Sequence, residues 1–95
     1  LAVRDHIMAV VWTCESVLRE IMEPTKVNLA ALGNVVPHVH WHIIARFSDD
    51  RHFPNPIWGE PKRQTSSTDH IRRQTRSVSL PASLALALTQ AFAVQ

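Results

Sequence analysis

The segment HVHWHII, residues 38–44, alternates histidine with apolar residues at every second position. Successive side chains of a β-strand point to opposite faces, so this period predicts a strand, over about residues 38–47. One face of that strand would carry His38, His40 and His42. The other face would pack into the core through Val39, Trp41 and Ile43.

The sequence before the histidines predicts a helix and a second strand. Residues 1–23 repeat apolar side chains at three- and four-residue steps, which is typical of an amphipathic helix. Pro24 ends this helix, because proline cannot donate the next backbone hydrogen bond. Residues 26–32 predict a strand, and Gly33-Asn34 marks a turn after it. So short a connection favours antiparallel pairing with the histidine strand.

Two further segments follow the histidine strand. Prolines 54, 56 and 61 disfavour regular structure directly after it. Residues 64–78 are polar, and we predict a mobile linker there. Residues 79–93 predict a terminal amphipathic helix, with Ser79 as its N-cap and Pro81 in its first turn. The chain would then divide into residues 1–63, the linker and this helix.

Composition narrows the class of protein. The chain has 95 residues, enough for one small domain, and 45% of them are apolar. No apolar run approaches the ~20 residues of a membrane span, so we expect no membrane partner. A formal net charge of +2 gives no reason to expect a nucleic acid polymer as partner. The single cysteine, Cys14, fits a reducing, cytoplasmic location.

Three interpretations of the histidine row imply different chemistry. A half-exposed surface strand would explain one histidine better than three. A zinc site is disfavoured, because at ~3.3 Å per residue the Cα atoms of His38 and His42 would lie ~13 Å apart. In the third interpretation one imidazole attacks phosphorus while protonated neighbours stabilise charge on the phosphate oxygens. That chemistry uses all three histidines and needs no metal or cofactor.

The residues around the histidines resemble a known family. The segment KVNLAALGNVVPHVHWHIIARFSDDRHFPNPIWG, residues 26–59, is similar to the histidine-triad (HIT) family, in which three histidines alternate with apolar residues. The likeness is to its bacterial branch, often described as diadenosine-tetraphosphate-hydrolase-like, and it extends over residues 1–63. One departure is Ala45, where many members have proline.

The resemblance implies a reaction and roles for five residues. The reaction is cleavage of a nucleoside phosphoramidate or dinucleoside polyphosphate at the α-phosphate, through a nucleotidyl-histidine intermediate. His40 would be the nucleophile, and His42 would contact phosphate oxygens and assist the leaving group. His38 would hold His40 in the right tautomer. Asn28 would lie near the phosphates, and Asn34 would either reach the same region or serve only to form the turn.

The resemblance also implies an α+β fold, namely a partial HIT-like fold with helices on one face of an antiparallel sheet, and a homodimer. Members of the family begin with strands and a short helix that precede the segment present here. The chain begins with Leu1 rather than methionine, and we expect it to be part of a longer protein or a truncated one. The alternative function is therefore a catalytically inert nucleotide-binding or dimerising module.

Overall fold

The computed structural model describes residues 1–35 and 37–93. In this part of the chain the elements are α1 (Ala2–Met22), β1 (Lys26–Ala30), β2 (His42–Arg46), α2 (Ser67–Ser77) and α3 (Leu80–Ala91). The predicted α+β class with an antiparallel sheet is confirmed. None of the helices described is both long and apolar enough to cross a membrane.

Helix α1 provides most of the small core. Its buried apolar side chains, Val11, Leu18 and Met22, are 3%, 9% and 7% exposed. The helix ends at Glu23, whose backbone is left-handed with φ of 48°, and Pro24 follows directly. The predicted helix over residues 1–23 is therefore confirmed to within one residue at each end.

Strands β1 and β2 pair antiparallel, with Ala30 opposite His42 and Asn28 opposite Ile44. Residues directly opposed in such a pair share a face of the sheet, so these four side chains lie on one face. Ile43 points to the other face, where it lines a cleft with side chains of α1. The sheet thus has one face covered by helix and one face that carries His42.

The histidine strand is shorter than predicted. Regular pairing covers β2 alone, rather than residues 38–47, and β1 stops short of the predicted end at residue 32. A strand needs a hydrogen-bonding partner, and β1 has none to offer beyond Ala30. The chain then turns at Gly33, whose φ of 139° is the positive value expected of a turn glycine. The first two histidines therefore precede the strand.

The apolar residues between the histidines are less buried than predicted. Val39 lines the cleft against α1 together with Trp41 and Ile43, but it lies outside the strand and is 65% exposed. Trp41 and Ile43 are half-buried, as expected of residues that pack towards α1.

Residues 64–78, for which a polar mobile linker was predicted, contain helix α2. Ser66 caps this helix: its hydroxyl accepts the backbone N–H of Asp69 at 3.2 Å and donates to the Asp69 carboxylate at 2.8 Å. This reciprocal cap is a start signal that the polar composition of the segment concealed. Arg76 of α2 pairs with Glu23 at 3.0 Å and so joins α2 to the end of α1.

Helix α3 confirms the predicted terminal helix, with slightly tighter bounds than 79–93. Ser79 is the N-cap residue, but its hydroxyl donates to the Arg76 carbonyl oxygen at 3.3 Å instead of capping α3. Pro81 lies in the first turn as predicted. The helix packs along α1, and just beyond its end the Phe92 ring meets His6 edge-on at 5.1 Å.

Candidate functional site

The three histidines form a row of imidazole rings even though only His42 belongs to a strand. Ring centroids of His38 and His40 lie 5.5 Å apart, and those of His40 and His42 lie 6.0 Å apart. The outer two side chains are exposed, and His40 is half-buried between them. The structure therefore brings together all three residues that the two-residue spacing singled out.

His40 is held by the main chain of its neighbour. Its Nδ1 atom lies 3.2 Å from the carbonyl oxygen of His38. A carbonyl oxygen only accepts hydrogen bonds, so in the neutral ring Nδ1 carries the proton and Nε2 carries the lone pair. In this tautomer Nε2 of His40 is the unprotonated ring nitrogen.

Gly33 packs directly against that nitrogen. A Cβ atom built on Gly33 would overlap Nε2 and Cε1 of the His40 ring. The turn residues 31–34 and the histidine segment 38–41 together line a cleft of about 270 Å³. Only a residue without a side chain fits beside Nε2 of His40 in this cleft.

The two asparagines differ in their relation to this cleft. Asn34 lines it together with His38 and His40, so the structure brings that predicted residue to the site. Asn28 does not line the cleft. It lies on the sheet face that carries His42, and its Oδ1 accepts a 2.7 Å hydrogen bond from Arg46.

Arg46 was not singled out by the sequence analysis. It is only 2% exposed, and it joins the sheet to the loop that follows. Its guanidinium donates to both carboxylate oxygens of Asp50, at 2.9 and 3.1 Å, and to the carbonyl oxygen of Asn55 at 2.6 Å. A signal did exist, because Arg46 continues the two-residue period of the histidine row by two further steps along the same face.

Asp50 is the counter-charge to Arg46. Partial burial alone would raise the pKa of Asp50, but the Arg46 hydrogen bonds and three backbone N–H donors outweigh it and hold the pKa far below its ordinary value. Those donors belong to Phe47, His52 and Phe53, at 3.0, 3.0 and 2.7 Å. Asp50 is thus held in its ionised form by Arg46 and the backbone of the loop.

Metal chemistry finds little support in the donor set. Within residues 1–35 and 37–93, no three His, Cys, Asp or Glu side chains group as a metal site. Burial raises the pKa of the Cys14 thiol, which disfavours the thiolate that zinc requires.

Comparison with known proteins identifies the family that this chain resembles. The model of the HIT domain family matches residues 2–49, slightly more than half of the chain. A search of curated proteins found no match.

Solved structures with the same fold are histidine triad proteins. One from Bradyrhizobium japonicum is 32% identical with a TM-score of 0.61, and the match covers 84% of this chain and 58% of that one. One from Marinobacter aquaeolei is 27% identical with a TM-score of 0.57, over 84% and 59% of the two chains. One from Sinorhizobium meliloti is 29% identical with a TM-score of 0.53, over 88% and 59%. The chain thus spans about three fifths of the length of these proteins.

Proposed function

Because the chain belongs to the HIT domain family, we propose that it is a nucleotide hydrolase or transferase that cleaves its substrate at the α-phosphate through His40. The substrate class is a nucleoside phosphoramidate or a dinucleoside polyphosphate. The observation that carries this proposal is the 3.2 Å contact between His40 Nδ1 and the His38 carbonyl oxygen. It leaves Nε2 unprotonated, as nucleophilic attack requires.

The proposed reaction has two steps. Nε2 of His40 attacks the α-phosphorus, and the bond from phosphorus to the leaving amine or phosphate breaks. His42, when protonated, donates a proton to the leaving group and a hydrogen bond to a phosphate oxygen. Water then attacks the same phosphorus and gives a proton to the now neutral His42, the N–P bond breaks, and the nucleoside monophosphate leaves with His40 restored.

The asparagines would serve as donors to the phosphate in this scheme. The amide of Asn34 lines the cleft beside His40, and the amide of Asn28 lies on the face of His42. Neutral donors of this kind stabilise the negative charge on phosphate oxygens through hydrogen bonds. No metal or other cofactor enters either step.

The small cleft leaves a second candidate, an inert nucleotide-binding or dimerising module whose pocket this chain forms only in part. Ligand sites are usually about 300–1,000 Å³, and the cleft beside His40 is about 270 Å³. It has room for a phosphate group more readily than for a whole nucleotide. In a homodimer the second copy would supply further walls of the nucleotide site, and we propose that the chain forms one. We also propose a location in the reducing environment of the cytoplasm.

A fluorogenic adenosine phosphoramidate tests the reaction directly. The chain should release the fluorophore with saturation kinetics, and the His40→Ala variant should show only the background rate. Equal rates for the two proteins would overturn the hydrolase. Calorimetric titration with AMP separates the candidates further, because an inert binding module would bind AMP in both proteins without turnover.

A further inference from the structure

We propose that Arg46 is a positioning residue, which orients the amide of Asn28 so that it donates to the substrate phosphate. This inference rests on the function proposed above and extends it to a residue outside the histidine row. Arg46 does not touch the substrate in this scheme. It acts through Asn28, which it contacts at 2.7 Å.

The burial of Arg46 excludes a direct contact with a phosphate. The residue is 2% exposed, and its charge is balanced by the Asp50 carboxylate, which it holds through two hydrogen bonds. Nη2 also donates to the Asn55 carbonyl oxygen at 2.6 Å. A buried charge remains stable only when paired in this way. The remaining nitrogen of the guanidinium, Nη1, donates its hydrogen bond to Asn28 on strand β1.

This contact decides which end of the Asn28 amide is which. A guanidinium has donors and no acceptor, so the atom that faces it must be the amide oxygen. With Oδ1 held by Nη1, the two N–H groups of Nδ2 are the end available to another partner. The assignment of the oxygen and nitrogen ends of the Asn28 amide therefore follows from the hydrogen bond with Arg46.

The register of the sheet places the Asn28 side chain near His42. Asn28 is opposite Ile44, and His42 is two residues before Ile44 on β2, so Asn28 and His42 are diagonal neighbours on one face. Such neighbours lie about 7–8 Å apart. One phosphate group that accepts a hydrogen bond of about 2.9 Å from each side chain spans a gap of that size.

Lysine cannot replace Arg46 in this arrangement. The planar fork of arginine reaches Asp50, Asn55 and Asn28 at once because its donors diverge at fixed angles. An ammonium group has three donors on one atom and cannot match those three directions. The positive charge behind Oδ1 also polarises the amide and strengthens Nδ2 as a donor.

The first variant is Asn28→Asp, which keeps an oxygen acceptor for Arg46 but replaces the donor with a second, negatively charged acceptor. We expect the AMP dissociation constant to rise by at least about tenfold, with the thermal midpoint unchanged or raised. Unchanged AMP affinity would overturn the proposal, because it would mean that the phosphate does not lie beside position 28.

Arg46→Lys and Asn28→Ala, alone and combined, test whether the arginine acts through the asparagine. Each change should weaken AMP binding about tenfold, and the double variant should bind no more weakly than Asn28→Ala. Fold-changes that multiply would overturn the positioning role. Arg63→Lys is the matched control, because Arg63 ties the same loop through the Asp50 and Phe53 carbonyl oxygens. Its effect should multiply with that of Asn28→Ala.

Should Arg46→Lys not fold, the unaltered chain still tests the proposal. In ¹⁵N-resolved spectra the Asn28 side-chain N–H resonances should shift on titration with AMP, and unshifted resonances in an AMP-bound chain would overturn it. A chain that couples Arg46 to Asn28 in AMP binding but lacks turnover retains this inference and loses the proposed hydrolase. If the chain turns over its substrate but the effects of the Arg46 and Asn28 variants multiply, the proposed hydrolase is retained and this inference is lost. If the chain does not bind AMP, both proposals are overturned.

Discussion

The Nδ1 atom of His40 lies 3.2 Å from the main-chain carbonyl oxygen of His38, two residues earlier. The part of His38 that orients His40 is therefore its backbone, not its imidazole. The resemblance to the HIT family implied that His38 would hold His40 in the right tautomer. The structure shows a specific way to do so that does not depend on the side chain at position 38.

His38→Ala should consequently leave the His40 tautomer intact. We expect turnover to fall by no more than about tenfold, whereas His40→Ala should lose about 10³-fold or more. Ring ¹⁵N chemical shifts should show a protonated His40 Nδ1 in both the unaltered chain and His38→Ala. The exposed His70 of α2 provides the control, since His70→Ala should change neither turnover nor tautomer.

A changed tautomer in His38→Ala would contradict this prediction, because it would mean that the His38 ring does the orienting. The ring centroids of His38 and His40 lie 5.5 Å apart, edge to face, which offers packing rather than a proton acceptor.

Gly33→Ala should slow turnover strongly while the chain still folds. The new methyl group would overlap Nε2 and Cε1 of His40, so the ring would have to leave its place beside the His38 carbonyl. The φ of 139° adds backbone strain of about 1 kcal/mol or more. We expect a loss of about 100-fold in kcat, measured with the phosphoramidate assay.

Gly59→Ala is the control for the loss of a glycine as such. Its nearest neighbour would be the Pro56 carbonyl oxygen at 3.2 Å, a tight contact that a small shift relieves, and Gly59 is far along the chain from the histidines. Turnover should be retained in this variant. Equal losses in the two alanine variants would show that Gly33 has no special relation to His40.

The sequence predicted correctly those elements that depend on residues close together in the chain, namely helix α1 and the turn at Gly33. The apolar period gave α1 to within a residue at each end, and Gly33 has the positive φ that a turn requires. The length of the histidine strand was wrong because pairing depends on the partner, and β1 ends at Ala30. Strand length is a property of two segments, and neither segment alone contains it.

The site was predictable to the same extent. Spacing singled out the three histidines, and the structure places their rings in one row. The Arg46–Asp50 pair was missed because its partners, Asn28 and Asn55, come from separate strands and loops of the chain. Helix α2 was missed for a simpler reason, since the Ser66 cap was not weighed against the polar composition.

Asp50→Asn should destabilise the fold strongly. The change leaves the charge of Arg46 buried without a counter-ion, at a cost of about 3 kcal/mol. Equilibrium denaturation in urea measures it. Asp49→Asn is the neighbouring control: Asp49 is 49% exposed in its pair with Arg73, so its loss should cost within about 1 kcal/mol.

The same pair sets the acid sensitivity of the chain. The pKa of Asp50 lies below its ordinary value, so its contribution to stability is complete at neutral pH. That contribution is lost progressively as the pH falls through the ordinary aspartate pKa of about 3.9 and then towards the lower folded value. In Asp50→Asn the free energy of unfolding should fall less between pH 6 and 3 than in the unaltered chain, and an equal fall would contradict the assignment.

Arg73→Ala should loosen α2 from the rest of the domain. The Arg73 guanidinium carbon lies 3.9 Å from the centroid of the Phe47 ring, and the group also pairs with Asp49. A cation over an aromatic face that is partly shielded from water contributes about 1–2 kcal/mol. We expect a loss of that size in urea denaturation, together with faster hydrogen exchange of the α2 amides.

Arg72→Ala is the matched control for Arg73→Ala on the same helix. Arg72 is 59% exposed in its side chain and pairs with Asp69 of α2 itself, so its removal should cost within about 0.5 kcal/mol. Both changes replace arginine by alanine one residue apart, and therefore alter helix propensity equally. Similar exchange rates in the two variants would show that the Phe47 contact does not anchor α2, and that the Arg76–Glu23 pair carries the attachment instead.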